Sequence, residues 1–141
     1  MTSDTKHLAT CACGSLRVTA EGEPDFVVVC HCLACQRRTG SPFGTGVYYP
    51  RERVTSIDGD VGTYTRTADS GRSLTNHFCP NCGTNVYWTL EMRPDHMGIA
   101  IGCFDDPHFA RPARTIWTEH QHDWVRLPDD MPAFEKAVPT S

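Results

Sequence analysis

The 141-residue chain is short of several things, and each shortage excludes a class of protein. Its longest apolar run is FVVVC at 26–30, far below the roughly 20 residues that carry a helix across a bilayer. No membrane span is expected. The opening MTSDTKHLATC has no apolar core of a secretory leader, so a cytoplasmic location is the default expectation. A basic excess is missing too. The formal net charge is -4, and the 13 Lys and Arg are scattered apart from the Arg37-Arg38 pair, which argues against nucleic acid as a partner. There is no internal repeat, low-complexity tract or charge block, and the lack of a long 3.6-residue period argues against a mostly helical fold.

What remains is a chain sized for one domain with a single core. Gly and Pro punctuate it at short intervals and mark no linker. The expected layout is a frayed N-terminus over 1–8, a folded domain over 9–136 and a tail over 137–141. Stretches rich in β-branched and aromatic residues recur at 15–20, 25–30, 45–50, 61–67, 73–79, 85–90, 97–102 and 114–119, which predicts a mostly β fold. One segment, LACQRRTG over Leu33–Gly40, reads as a short helical turn stopped by Gly40.

The 8 cysteines are too sparse for a disulfide scaffold, and all but Cys103 fall in tight CxC or CxxC groups, the pattern of metal binding. Cys11 and Cys13 in CACG, with Cys79 and Cys82 in CPNCG, form two half-sites that each end in glycine, where a positive φ turns backbone N–H groups toward sulfur. Together they predict a closed, structural four-cysteine zinc site. Cys30, Cys32 and Cys35 in CHCLAC can present three sulfurs to one further metal. Three protein ligands and one exchangeable position is the arrangement of a catalytic zinc. Three thiolates leave Zn2+ electron-rich and a poor activator of water, so the open position suits a soft sulfur ligand. Arg37 and Arg38 offer cations for carboxylates on the same molecule, which points to a small acidic thiol such as glutathione. Cys103 in GCFDDP could instead close this site. His31 is expected to point away from the metal, and His120 and His122 to form a solvated face.

With CACG at 11, VVVCHCLACQRRTGSPFG at 27–44, HFCPNCGTNVYW at 77–88, IAIGCFDDP at 99–107, TIWTEHQHDW at 115–124 and DDMPAFEKA at 129–137, the chain resembles the glutathione-dependent formaldehyde-activating enzyme family, also called the CENP-V/GFA domain. The resemblance implies a mostly β, Mss4-like (β-tent) domain with short helical turns and two zinc ions per chain. It implies a structural zinc on Cys11, Cys13, Cys79 and Cys82 and a catalytic zinc on Cys30, Cys32 and Cys35. The implied activity is addition of formaldehyde to glutathione, a carbon–sulfur lyase reaction in the reverse direction. Two other readings stay open: a non-catalytic zinc module for a protein partner, and a methionine sulfoxide reductase with Cys103 as nucleophile. A homodimer is also left open.

Overall fold

A computed structural model of the chain describes residues 5–68 and 70–137. Ten strands form two sheets. The smaller has the order β1 (Lys6–Thr10), β2 (Arg17–Glu21), β5 (Val54–Asp58), all antiparallel. The larger has seven strands: β10 (Arg114–Ile116), β3 (Phe26–Cys30), β4 (Gly44–Pro50), β9 (Arg93–Ala100), β8 (Asn85–Leu90), β7 (Ser73–Phe78) and β6 (Gly62–Thr67), in that order. Among the strands of the described residues, only the β10–β3 pair is parallel. One helix, α1 (Leu33–Thr39), follows β3, and single 3₁₀ turns occupy Arg51–Arg53, Ile101–Cys103 and Thr118–His120. No helix among the described residues is long and apolar enough to cross a membrane.

Alternation explains which faces meet. β2 buries Val18 and Ala20 while Arg17 stays exposed, and β4 buries Val47 and Tyr49 on the face where β9 supplies Met97 and Ile99. The two sheets pack these residues into one core with Leu16, Val27 and Val86. Burial of each such aliphatic side chain contributes about 1.5–3 kcal/mol. Tyr49 is fully buried yet satisfied, because its hydroxyl donates to the Gly22 carbonyl at 2.8 Å.

All eight strand stretches read from the sequence are strands, and α1 stops at Gly40 as expected. Two strands are additional. β1 (KHLAT) has weak β composition, whereas β5 (VTSID) holds three β-branched residues in five, and the two pair on either side of β2. The frayed end expected over 1–8 therefore needs correction from Lys6 onward. Lys6, His7 and Leu8 pair with Glu21, Ala20 and Thr19, the His7 ring stacks on Phe109 at 4.3 Å, and the Leu8 carbonyl accepts from Asp105 N at 3.1 Å. Residues 1–4 of that end, and 138–141 of the expected tail, lie outside the described residues. At the other end, backbone bonds from Thr115 N to Pro132 O and from Thr118 N to Phe134 O tie the last described segment along β10.

Candidate functional site

Two sulfur clusters stand out. The Sγ atoms of Cys11, Cys13, Cys79 and Cys82 all lie within 4.8 Å of one another. Cys11–Cys13 and Cys13–Cys79 separations are 3.6 and 3.7 Å. A tetrahedron with Zn–S bonds of about 2.3 Å has edges of roughly 3.8 Å, so the four donors fit that metal. The two half-sites are matching turns. Gly14 and Gly83 both sit at φ 82°, which lets the backbone N–H of Leu16 reach Cys11 Sγ at 3.2 Å and that of Cys82 reach Cys79 Sγ at 3.5 Å.

Two hydroxyls complete this cluster and were not singled out from the sequence. Ser15 Oγ lies 3.1 Å from Cys13 Sγ and 3.2 Å from Cys79 Sγ, while Thr84 Oγ1 lies 3.2 Å from Cys82 Sγ and accepts from Ala12 N at 3.0 Å. The Ser15 hydroxyl brings the Cys13 thiol down to about 7, and the Thr84 hydroxyl brings Cys82 down to about 5. The signal was there: a hydroxyl residue follows the glycine in both CACGS and CPNCGT.

The second cluster comprises Cys30, Cys32 and Cys35, again with all sulfurs within 4.8 Å. Cys30 ends β3, Cys32 is the N-cap of α1 and accepts from Cys35 N at 3.3 Å, and Cys35 lies in the first turn. The start of the helix and the donor set are thus one piece of local structure. Hydrogen bonds from the Cys30 and Cys35 thiols hold Cys32 far below the ordinary thiol range, while the same contact with Cys32 pushes Cys30 up. Three crowded sulfurs resist losing all their protons unless a cation offsets the repulsion, so this set also fits a soft metal ion.

Nearby candidates stay outside the cluster. His31 is fully buried with its side chain turned to Thr115, Nε2 lying 2.7 Å from Oγ1, and its ring lies 5.5 Å from Phe43. His122 Nε2 donates to Gln36 Oε1 at 2.8 Å, and neither His120 nor His122 joins a cysteine group. Cys103, on the 3₁₀ turn after β9, belongs to neither sulfur cluster. Its thiol is pushed up to about 11 by burial.

The three-cysteine cluster opens on a cavity of about 550 Å³. Its floor is Trp88, which lies flat because Gly46 and Gly98 offer no side chain beneath it. A Cβ at Gly46 would come 2.8 Å from Trp88 Cζ2, and one at Gly98 would overlap the indole nitrogen. Trp88 Nε1 donates to Tyr48 Oη at 3.0 Å. Over this ring lies the Arg38 guanidinium, 4.3 Å from the centroid, with room made by Gly44. Arg37 also lines the cavity. The far wall is the β6–β7 hairpin, which contributes Arg66, Leu74 and Asn76. Trp117, held at φ 60°, stands at the rim with His120 stacked on it. Among the described residues no Asp or Glu lines the space.

Comparison with known proteins agrees with this geometry. A crystal structure of a Rhodobacter sphaeroides protein, a structural-genomics target, superimposes with a TM-score of 0.53 at 17% identity, covering 74% of this chain and 91% of that one, which shows a shared fold. The family model described as glutathione-dependent formaldehyde-activating enzyme matches residues 6–120, a span holding both sulfur clusters and the arginine-lined cavity. On that match the chain belongs to the family of the glutathione-dependent formaldehyde-activating enzyme.

Proposed function

We propose that the protein is a zinc-dependent enzyme of the carbon–sulfur lyase type, making or breaking a thiol–aldehyde adduct such as S-hydroxymethylglutathione. The observation that carries this reading is a three-cysteine cluster, with Cys103 apart from it, opening on an arginine-lined cavity. In this reading Cys11, Cys13, Cys79 and Cys82 hold a closed structural zinc that staples the β1–β2 turn to the β7–β8 turn. Cys30, Cys32 and Cys35 hold a second zinc, which supplies an exchangeable position for a thiolate and stabilises sulfur in that form near neutral pH.

The chain's own groups then do the positioning. Arg38, already fixed on Trp88, and Arg37 bind carboxylate on the thiol substrate, and a planar guanidinium does so with two parallel hydrogen bonds. The apolar walls from Leu74, Leu90 and Ile116 limit water around the reacting carbon. In the forward direction a bond forms between the thiol sulfur and the carbonyl carbon of formaldehyde, and the thiol hydrogen ends on the former carbonyl oxygen. The reverse breaks the same C–S bond.

The test is the exchange rate between glutathione and its hydroxymethyl adduct, read by NMR beside a zinc count. Wild-type protein is expected to carry two zinc ions and to accelerate exchange. Cys32→Ala is expected to lose one zinc and the acceleration together. Unaltered acceleration after loss of that zinc would overturn the reading.

A further inference from the structure

We infer that Arg66, on the β6–β7 hairpin, determines specificity by taking one carboxylate of a dianionic thiol ligand while Arg37 and Arg38 on α1 take the other. The inference rests on reading the Cys30, Cys32, Cys35 cluster as the sulfur-binding centre, and it adds a second anion position on the opposite wall.

Register brings Arg66 into the cavity. It pairs with Leu74, which pairs with Leu90, and all three line the space, so they occupy one face across three neighbouring strands. Arg66 is half-buried, whereas Thr63, Tyr64 and Thr65 before it are exposed. β6 stands at one end of the large sheet and β3, which leads into α1, near the other. Both reach one cavity, so the sheet curls until its ends face each other. The arginines therefore approach a ligand from two sides.

Charge gives the ligand class. Three guanidinium groups line a space where no described residue offers a carboxylate, in a chain whose 17 acidic residues outnumber its cations. Among the described residues none of the three is in an ion pair. Cations gathered around one cavity repel each other, and a ligand with two negative groups relieves that repulsion. A volume of about 550 Å³ is also far larger than formaldehyde needs and suits a peptide-sized molecule.

The experiment is calorimetric titration of the zinc-loaded full chain, as wild type, Arg66→Gln and Arg66→Lys, with three probes. These are glutathione, S-methylglutathione, which lacks a free thiol, and glutathione diethyl ester, which lacks both carboxylates. Arg66→Gln is expected to weaken glutathione about tenfold, the scale of one charge-assisted hydrogen bond, and to leave the diester within about twofold. Arg66→Lys is expected to recover part of the loss. Zinc content should not change in either variant. If Arg66→Gln weakens glutathione and diester equally, or neither, the inference is overturned. If S-methylglutathione binds as tightly as glutathione and still shows the tenfold effect, the sulfur-binding reading fails and the Arg66 inference stands. If glutathione does not bind, 2-mercaptosuccinate is the second dianionic thiol: sensitivity to Arg66→Gln supports the inference, and no binding of either overturns it.

Discussion

Gly46→Ala offers a test in which the sign of the effect decides. Gly46 lies in β4 outside the positive-φ region, so alanine fits the backbone there. With nothing above the strand, the substitution would stabilise the protein by about 0.4–1 kcal/mol, because alanine has less freedom to lose on folding. The structure predicts the opposite. The new Cβ would meet Trp88 Cζ2 at 2.8 Å and Tyr48 Cε1 at 2.9 Å. Neither ring is a flexible end that can swing aside. Trp88 is pressed on Gly98, hydrogen-bonded to Tyr48 at 3.0 Å and covered by Arg38. Overpacking of this kind costs about 1–3 kcal/mol, which leaves a net destabilisation of up to about 2.6 kcal/mol after the backbone gain. Urea unfolding in zinc-saturated buffer reads the net change, and near-UV circular dichroism reads the tilt of Trp88. A variant as stable as wild type or more so, with an unchanged near-UV spectrum, would refute the account of the cavity floor.

The two clusters should respond differently to loss of a sulfur. Cys79→Ala is expected to remove the metal that ties two turns together and to cost several kcal/mol, measured by urea unfolding, whereas Cys32→Ala should retain the fold and lose one zinc. Tyr49→Phe removes the donor to the buried Gly22 carbonyl, and unfolding should show a loss of about 1–2 kcal/mol. His96 is raised above the ordinary histidine value by its hydrogen bond to Asp25, and Asp95 adds to this. A raised folded value means stability present below the unfolded value and lost as pH rises through the folded one. Wild type should therefore lose stability as the pH rises above the ordinary histidine value of 6.5, a loss that His96→Gln does not show, read from urea midpoints at each pH. Parallel pH profiles would contradict this role for His96.

The parts of the fold that burial writes into side-chain composition were legible. FVVVC and NVYWTL are strands flanked by others, and their β-branched and aromatic residues announce it. β1 was not legible, because KHLAT owes its strand state to β2 and carries little signal of its own, whereas β5 was missed although VTSID holds three β-branched residues in five. The cysteine groups were legible for a local reason: Gly14 and Gly83 fix each turn, and Cys32 caps the helix that carries Cys35. Arg37 and Arg38 could be placed beside the sulfurs through the same short helix. Arg66 could not, since its approach depends on how seven strands curl. Nor could the stacking of Arg38 on Trp88, which joins residues far apart in sequence through glycines on β4 and β9.

The central claim is that the Cys30, Cys32, Cys35 centre is completed by a ligand's sulfur and not by Cys103. X-ray absorption at the zinc edge counts the sulfurs directly. With one four-cysteine and one three-cysteine site, the zinc-loaded protein should average about 3.5 sulfurs per zinc at about 2.3 Å, rising to about 4 when glutathione is added. An average of 4 before any thiol is added, falling in Cys103→Ser, would mean that the chain closes its own site and would contradict the account.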